Sequence, residues 1–404
     1  MRQNKKCELG ELLEYEQPTK YIVKSTDYDA SYRIPVLTAG KSFILGYTNE
    51  DKNVFDKLPV IVFDDFTTAI QYVDFKFKVK SSAMKILNIN TKLVLPKYIY
   101  YRMQIIVFDH STHKRYWIQE YSKIKISVPP LPEQEKIVAQ IEELFSQLDK
   151  SVDTLKNIKR QLVVYRQSVL KEAFEGKWKF KERTGIPTTV YFKNVNENEL
   201  LALKKLPSEW KYVYLSDLGD LSRGRSKHRP RNDTRLFENG KYPFFQTGDV
   251  KSAKKELFES EKLYGDFGLQ QSRLWPAGTL CITIAANIAE TCFLGVDGCF
   301  PDSIVGFTPN SKLVDKNYVR FFIEASKLRL WAFAPATAQK NINLATLENL
   351  IIPYCTLEEQ HYIVQEIESR LSVCDSIEKT IDDILKQTDV MRKSILNDAF
   401  ERRL

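Results

Sequence analysis

The sequence predicts an α+β protein built as a repeat, in which two globular α/β domains are joined by two long helices that form a coiled coil. Three observations predict this fold: a 43-residue segment occurs twice, both copies have coiled-coil spacing, and short strand-like runs precede each copy. With 404 residues, 43% of them hydrophobic, the chain can bury more than one core.

The internal repeat is the strongest of these observations. Residues 133–175 align without a gap with residues 359–401, at an offset of 226, and 18 of the 43 positions are identical. Neither copy contains proline or glycine, and each follows a proline-bearing, strand-like segment. Both copies are therefore predicted to be helices, each roughly 60 Å long at a rise of about 1.5 Å per residue.

The helix seam is predicted from residues that recur at alternating spacings of four and three. Helices this long do not fit inside one ordinary domain, so we expect them to pair with each other. In the first copy the seam positions are Ile137, Ile141, Leu144, Leu148, Ser151, Leu155, Ile158, Leu162, Tyr165 and Val169. In the second copy they are Ile363, Ile367, Arg370, Cys374, Ile377, Ile381, Ile384, Thr388, Met391 and Ile395, with Arg370 and Thr388 as imperfect layers.

A weaker repeat extends into the segments before each helix. Residues 32–40 resemble residues 241–248, and residues 98–101 resemble residues 318–321. Short β-rich runs dominate these segments, which predicts a mixed α/β domain before each helix. The expected boundaries are 1–132 for the first domain, 133–178 for the central helix, 179–205 for a linker, 206–358 for the second domain and 359–404 for the distal helix.

Charge is distributed unevenly along the chain. The 60 Lys and Arg against 52 Asp and Glu give +8, but segments 133–177 and 359–403 together carry −3 and the remainder carries +11. The excess of basic residues therefore lies in the globular domains. This distribution is expected if the domains contact phosphate groups while the helices contact protein.

Cysteine and histidine are too sparse and scattered to predict a disulfide framework or a zinc site. The six cysteines form no CxxC pair, and His110 and His113 lack a third metal ligand. This composition favours a reducing, cytoplasmic setting. The most apolar long stretch, residues 86–108, is interrupted by three basic residues, so no membrane association is expected.

The most basic segment, residues 222–232, contains Gly224 and Pro230 and is predicted to be a loop. Arginine pairs in a bidentate manner with guanine or with phosphate, so this loop is a candidate for entering the major groove of DNA. A solvated basic surface loop is the alternative. The candidate residues are Arg223, Arg225, Lys227, His228, Arg229, Arg231 and Asn232.

Polar clusters between apolar runs supply further candidates, because glutamine and asparagine suit the edge of adenine. Each residue taken singly has a turn or a helix cap as its alternative. In the second domain the candidates are Gln246, Thr247, Gln270, Gln271, Arg273, Asn287, Gln339, Lys340 and Asn341. In the first domain they are Lys20, Tyr21, Tyr28, Tyr32, Arg33, Thr38, Lys41, Thr67 and Thr68.

Signatures of catalysis are few. The sequence has no GxxxxGK(S/T) phosphate loop, no GxGxxG after a strand, no GxSxG and no HExxH. Asp64 and Asp65 follow an apolar run, and Asp74 and Lys76 follow further along, which loosely resembles the centre of a metal-dependent nuclease. A strand edge with solvated charges is the favoured interpretation.

These motifs resemble those of the specificity subunits of type I restriction and modification systems, over the whole length of the chain. The matching segments include PPLPEQEKIVAQIEELFSQLD with SVLKEAFEGKW in the first copy and SILNDAFERRL in the second. LPSEW at residues 206–210, GRSKHRPRND and FFQTGD match the opening and loops of the second target recognition domain in that family. The first domain departs from the pattern, because it has no counterpart of LPSEW or of the basic run.

The resemblance implies a pseudo-twofold repeat in which each of two target recognition domains reads half of a split site in double-stranded DNA. The two long antiparallel helices, which form a coiled coil, would set the distance between the domains. It also implies two methyltransferase subunits that dock around the helices and modify adenine, and restriction subunits that translocate and cut DNA. Those partners, rather than this chain, would hold S-adenosylmethionine, ATP and Mg²⁺. The chain itself would be a non-catalytic recognition subunit.

Two other functions stay open at this stage. One is an autonomous metal-dependent DNA nuclease that uses Asp64, Asp74 and Lys76. The other is a coiled-coil scaffold that binds only proteins. A scaffold predicts no salt-dependent affinity for DNA, whereas the +11 charge outside the helices predicts such an affinity.

Overall fold

The computed structural model describes residues 5–38, 42–109, 115–180, 183, 185–186, 190–333 and 341–401. The chain divides into two compact units, residues 1–156 with 381–404 and residues 157–380. Each unit contains one globular domain and part of each long helix. Among the described residues, no helix is both long and apolar enough to cross a membrane.

The described residues of the first unit form three small sheets. Its strands are β1 (Lys5–Glu8), β2 (Leu13–Glu16), β3 (Ile34–Leu37), β4 (Ile44–Thr48), β5 (Val60–Asp64), β6 (Ile70–Val73), β7 (Lys78–Val79), β8 (Met84–Ile89) and β9 (Lys125–Val128). Its helices are α1 (Leu9–Leu12), α2 (Pro96–Gln104), the first part of α3 (Leu131–Phe174) and the last part of the second long helix. The largest sheet has the antiparallel order β2-β8-β5-β6, and the others pair β1 with β9 and β3 with β4 and β7. All five residues of β5 are buried, because this apolar run lies in the middle of the domain.

The second unit contains a larger mixed sheet. Its strands are β10 (Lys211–Tyr214), β11 (Gly219–Arg223), β12 (Tyr242–Pro243), β13 (Glu256–Leu257), β14 (Leu263–Tyr264), β15 (Leu280–Thr283), β16 (Thr291–Leu294), β17 (Ile304–Pro309) and β18 (Ile351–Tyr354). Its helices are α4 (Glu197–Leu201), α5 (Thr247–Ser252), α6 (Asp266–Gln270), α7 (Lys316–Ala325), α8 (Lys327–Phe333), α9 (Leu344–Glu348), the first part of α10 (Leu357–Phe400) and the last part of α3. The main sheet has the order β11-β17-β15-β16-β13, and β10 pairs with β18 as β1 pairs with β9.

The two long helices are confirmed. Helices α3 and α10 are each 44 residues long and begin 226 positions apart. In the first unit Ile141 of α3 shares a hydrophobic core with Leu396 of α10. In the second unit Ala173 of α3 shares a core with Ile367 of α10. The early part of one helix thus meets the late part of the other in each unit, so the two helices run antiparallel.

An ion pair between the two long helices recurs at equivalent positions of the repeat, once in each unit. Arg392 pairs with Asp149 in the first unit, and Arg166 pairs with Asp375 at 2.6 Å in the second. The two arginines are 226 positions apart, as are the two aspartates. Exposed ion pairs add little stability, so we interpret these pairs as markers of one shared helix register. The spacing of apolar residues in the sequence does not predict these ion pairs.

Part of the predicted seam is exposed. Tyr165, Ile377, Ile384 and Met391 have between 39% and 46% of their surface exposed. A straight α-helix drifts by about 20° per heptad against a strict seven-residue repeat, so one stripe of a long helix cannot stay in contact throughout. The buried seam positions of α10 are Ile363, Ile367, Cys374 and Ile381.

A buried glutamine attaches the first domain to α3. The Gln134 side chain is fully buried, and its Oε1 accepts the backbone N–H of Leu95 at 2.8 Å. Its Nε2 donates to the carbonyl oxygens of Leu93 at 3.1 Å and Pro129 at 2.8 Å. Leu95 is the N-cap of α2, so the start of α3 and the start of α2 are held by one amide group.

A tyrosine of α2 completes this attachment. The Tyr98 hydroxyl donates to the carbonyl oxygen of Ser127 in β9, at 3.2 Å. The ring of Tyr98 meets the ring of Phe400, near the end of α10, edge to face with centroids 5.3 Å apart. The first domain is therefore built on the beginning of α3 and the end of α10.

Gln360 plays the same role in the second unit. It is fully buried, and its Oε1 accepts the backbone N–H of Asp315, the N-cap of α7, at 3.0 Å. Its Nε2 donates to the carbonyl oxygens of Leu313 at 3.2 Å and Cys355 at 2.9 Å. Gln134 and Gln360 are 226 positions apart, so the repeat preserves both the residue and its hydrogen bonds.

Tyr318 repeats the contacts of Tyr98. Its hydroxyl donates to the carbonyl oxygen of Pro353 at 2.9 Å, and its ring meets that of Phe174 edge to face at 5.0 Å. Phe174 is the last residue of α3. The second domain is therefore built on the beginning of α10 and the end of α3, in the reverse of the arrangement in the first unit.

The buried Glu359 at the start of α10 binds both the tryptophan of LPSEW and an arginine of the linker. Glu359 is buried and accepts hydrogen bonds from Nε1 of Trp210 at 3.0 Å and Nε of Arg183 at 2.9 Å. Arg183 also donates through Nη2 to the carbonyl oxygens of Gly176 and Trp178. Gly176 follows the end of α3 with φ of +64°, the left-handed conformation that commonly terminates helices. These bonds compensate for burying the Glu359 carboxylate.

Replacing Gln134 by alanine is predicted to lower the free energy of unfolding by about 2–4 kcal/mol, because the buried Leu95 N–H and two carbonyl oxygens lose their partner. Urea unfolding followed by tryptophan fluorescence measures the change. Gln140→Ala is the matched control, since Gln140 is exposed on the same helix. Equal effects of the two substitutions would contradict the role assigned to the buried amide.

Candidate nucleic-acid interface

The basic loop of the second domain begins where β11 ends. Gly224 is required there, because a Cβ atom would lie 2.3 Å from the carbonyl oxygen of Pro301. Arg225 donates through Nε at 3.0 Å, and also through Nη2, to the carbonyl oxygen of Ser272. The Ser272 hydroxyl donates back to the carbonyl oxygen of Arg225 at 2.7 Å. The loop is thereby attached to the segment around residue 272.

Three more arginines of this loop are bonded to the protein itself. Arg223 donates through Nε and Nη2 to the carbonyl oxygen of Asp302, at 3.0 and 2.7 Å. Arg229 donates through Nη1 to two carbonyl oxygens of its own loop. Arg231 forms an ion pair with the Asp302 carboxylate at 3.2 Å. The run predicted to contact DNA therefore uses much of its donor capacity to fix its own shape.

A carboxylate organises the far side of the loop. Asp233 caps a 3-10 turn at residues 234–236, accepts from Arg235, and lies 2.7 Å from Nε2 of His228. Hydrogen bonds from Arg235 first, and then from His228, hold the pKa of Asp233 well below its usual value. Asp233 therefore stays charged at neutral pH and keeps both partners in place. His228 is oriented by this carboxylate, and Asn232 is exposed beside it.

Gln270, Gln271 and Arg273 lie beside the basic loop. The backbone N–H of Lys227 donates to the carbonyl oxygen of Gln271 at 3.1 Å, which brings the two predicted groups together. Gln270 and Lys227 are exposed. The Arg273 guanidinium lies over the ring of Trp275, with its central carbon 3.9 Å from the ring centroid.

A second cluster forms around a tight turn at residues 285–290. Gln246 and Thr247 stand at the start of α5, and Lys251 of that helix donates to the side-chain oxygen of Asn287 at 3.4 Å. Asn341 pairs by a β-bridge with Ala285 in the same turn. The structure thus connects these predicted residues.

The turn at 285–290 is strained, which no sequence pattern reveals. Ala286 and Ala289 both have φ of +62°, a conformation that disfavours alanine. Thr283 stabilises the turn, because its carbonyl oxygen accepts the N–H of Ala289 at 2.9 Å and its hydroxyl oxygen accepts the N–H of Glu290 at 3.0 Å. Strained backbone of this kind is frequent at binding sites.

The candidates of the first domain lie on separate segments. Tyr21 is buried and donates from its hydroxyl to Glu16, which also pairs with Lys20 at 3.0 Å. Thr67 and Thr68 form the turn after β5. The remaining described candidates precede or end β3: Tyr28 and Tyr32, which are partly buried, Arg33, which is exposed, and Thr38. Tyr21 and Lys20 therefore have structural partners within the domain.

Some predictions fall on parts of the chain outside the described residues. These positions are Lys41, Gln339 and Lys340, together with His110 and His113.

Asp64 and Asp65 of the possible nuclease centre are buried and have structural roles, so the expectation of solvated charges at a strand edge is wrong for these two residues. Asp64 accepts the backbone N–H groups of Phe66 and Thr67, and Asp65 is buried and pairs with Lys85 at 3.6 Å. Asp65 also accepts the N–H of Trp117 at 2.9 Å. Within the described residues, no group of three His, Cys, Asp or Glu side chains could hold a metal ion. Nothing in the structure supports the nuclease alternative.

The fold defines a class of duplicated proteins in which each globular domain is built on the start of one long helix and the end of another. The family model for the type I restriction modification DNA specificity domain matches residues 1–163 and again residues 207–387. The chain is 31% identical over 386 residues to the specificity subunit of the type I restriction enzymes EcoR124I and EcoR124II of Escherichia coli, covering 91% of this chain and 87% of that one. The chain belongs to the family of type I restriction enzyme specificity subunits.

Solved structures share the fold at lower sequence identity. The HsdS subunit from Thermoanaerobacter tengcongensis aligns with a TM-score of 0.61 and 17% identity, over 100% of this chain and 98% of that one. A chain from a structure of type I R-M system assembly and conformational transition aligns with a TM-score of 0.65 and 17% identity, over 99% and 98%. These alignments confirm the predicted fold class.

Proposed function

We propose that the chain is the DNA-reading specificity subunit of a type I restriction–modification complex, in which each globular domain reads half of a split site and the long helices set the spacing between halves. The observation that carries this proposal is the repeated attachment of domain to helix through Gln134 and Gln360. A reader fixed rigidly to a helix keeps a defined distance to its counterpart, as half-site spacing follows dimer geometry in other DNA-binding proteins.

The side chains of the second domain suit base reading in the major groove. Arginine matches the O6 and N7 atoms of guanine, and asparagine and glutamine match adenine. Lysines on the same loops suit phosphate, which positions a protein on DNA without specifying sequence. The first-domain candidates that remain exposed or partly exposed support the same role more weakly.

In the proposed complex, this chain and its partner subunits would have different functions. This chain would supply recognition and no catalytic group, since Asp64 and Asp65 already serve a turn and a buried ion pair. S-adenosylmethionine, ATP and Mg²⁺ would bind to the methyltransferase and restriction subunits. The complex would act on double-stranded DNA in the cytoplasm, as the cysteine composition also favours.

A repeated apolar pair on the long helices supports docking of two methyltransferase subunits. Val164 and Tyr165 are exposed on α3, and Val390 and Met391 are exposed on α10, at an offset of 226. Val164 also lines a groove of about 650 Å³ in the second unit. Similar apolar patches at equivalent positions of a repeat are suited to two copies of one partner.

Exchanging residues 206–352 for the corresponding domain of another specificity subunit tests the reading role. We expect one half-site of the methylated sequence to change while the other half-site and the spacer length stay the same, because each domain reads separately. Sequencing of methylated adenines in cells that express the chimera with its methyltransferase measures this. Simultaneous change of both half-sites would contradict independent readers.

Substituting aspartate for Val164 or Val390 tests the docking role. Each single substitution should reduce the bound methyltransferase subunits from two to one, and the double substitution should abolish binding, because a charge is costly in an apolar interface. Native mass spectrometry of the purified complex counts the subunits. Gln161→Asp, an exposed position on α3, is the matched control and should leave two copies bound. Two copies on the double variant would refute this docking surface.

A further inference from the structure

We propose that Arg273 is the side chain of the second domain that reads a guanine, whereas the arginines of the basic loop mainly hold that loop in shape. This inference rests on the proposed function, and it assigns a specific base contact to one of several candidate residues.

Donor use separates Arg273 from the other arginines. A guanidinium has five N–H groups in a fixed fork, and reading guanine needs two adjacent ones aimed outward. Arg223 and Arg225 each direct Nε and one Nη at a single backbone carbonyl oxygen. Arg231 and Arg235 each face a carboxylate. These four therefore keep fewer free donors, and two of them have their charge partly compensated.

Within the described part of the chain, the N–H groups of Arg273 are not used by the protein itself. Among the described residues, its guanidinium has no hydrogen-bonded acceptor and no carboxylate oxygen within 4.0 Å, and its side chain is exposed. The contact that it does make is with the face of Trp275, which occupies none of its N–H groups. Its full set of donors is available to a base.

The tryptophan beneath Arg273 is a rigid platform. Trp275 is 1% exposed, and its ring stacks on Phe300 with centroids 4.9 Å apart and planes 20° apart. Its backbone N–H and carbonyl oxygen both bond to Gly298, at 2.8 and 3.0 Å. A guanidinium held over such a ring loses less conformational entropy when it binds, so its recognition of a base is stronger and more selective.

The backbone that carries Arg273 is also fixed. The preceding residue, Ser272, is buried and exchanges hydrogen bonds with Arg225 in both directions. Gln271 accepts the backbone N–H of Lys227. Arg225 thereby acts as a positioning residue for Arg273. The exposed side chain of Lys227 lies in the neighbouring basic loop, where its ammonium group suits a phosphate.

The chemistry of the two purines gives the expected preference. Guanine presents two acceptors, O6 and N7, in the major groove, whereas adenine presents N7 with an N–H donor beside it. A forked donor pair therefore binds guanine and is repelled in part by adenine. We expect loss of this pair to reduce discrimination at one base pair by roughly 10- to 100-fold.

The test begins with methylated-adenine sequencing in cells that carry the wild-type chain and its methyltransferase, which gives both half-sites. Arg273→Ala and Arg273→Lys should each relax one guanine of the half-site that the second domain reads, and leave the other half-site unchanged. The lysine variant keeps the charge and lacks the fork, so it separates base reading from simple attraction to phosphate. Replacing that guanine by 7-deazaguanine in an oligonucleotide should slow methylation by the wild-type complex and have little effect with Arg273→Ala.

Two further variants serve as comparisons. Arg225→Ala should weaken methylation and partly relax the same guanine, since Arg225 holds the segment that carries Arg273. Lys312→Ala removes a positive charge in the turn that follows β17, at the opposite end of that strand from the basic loop, and should leave the sequence preference intact.

Three results would overturn the inference. One is a half-site of the second domain that contains no guanine. Another is an unchanged sequence preference in Arg273→Ala, and a third is full retention of the preference in Arg273→Lys. Failure of the proposed function would look different, because the exchange of residues 206–352 would then transfer no half-site at all, whatever Arg273 does.

Discussion

Two buried amide groups, those of Gln134 and Gln360, determine how each domain meets its long helix. Each amide accepts the first N–H of a domain helix and donates to two carbonyl oxygens, one on each side of the junction. Unsatisfied polar groups at such a junction would be costly, and the helix cannot rotate against the domain without breaking the two bonds that each amide makes to the domain. A helix can set the distance between two domains only if each domain is fixed to it in this way. The tyrosine that bonds to the last strand and packs on the other helix adds a second constraint in each unit.

Satisfied polar groups also determine the shape of the candidate interface. A loop with many arginines repels itself, and backbone carbonyl oxygens together with Asp233 and Asp302 offset that repulsion. The result is a basic surface whose shape is fixed by contacts within the protein. Under the proposed function, such preorganisation would lower the entropy lost on binding DNA and leave specificity to the few side chains with free donors, among which we propose Arg273.

Much of the fold could be predicted from the sequence, because the repeat at an offset of 226 is long and free of helix breakers. The pairing of the two helices was expected from their length, whereas their antiparallel direction was implied by the family resemblance. The exposed seam positions Ile377 and Ile384 could not be predicted, since a heptad pattern does not include the drift of a straight helix. Gln134 and Gln360 are identical polar residues at equivalent positions of the repeat, and that identity could have predicted a shared structural role.

The candidate site was less predictable. Sequence identifies arginine in a loop, but only tertiary structure shows which carbonyl oxygen it bonds, as with Arg225 and Ser272. The strained alanines of the turn at 285–290 carry no signal in their residue type. The sequence did place Arg273 among the candidates, although the platform provided by Trp275 became visible only in three dimensions.

Inserting four residues after Lys156 tests the central claim that the helices set the distance between two readers. The insertion adds roughly 6 Å to one helix, at about 1.5 Å per residue. Methylated-adenine sequencing should then show both half-sites unchanged and the spacer longer by one or two base pairs, given about 3.4 Å per base pair. An unchanged spacer, or altered bases in either half-site, would contradict the account.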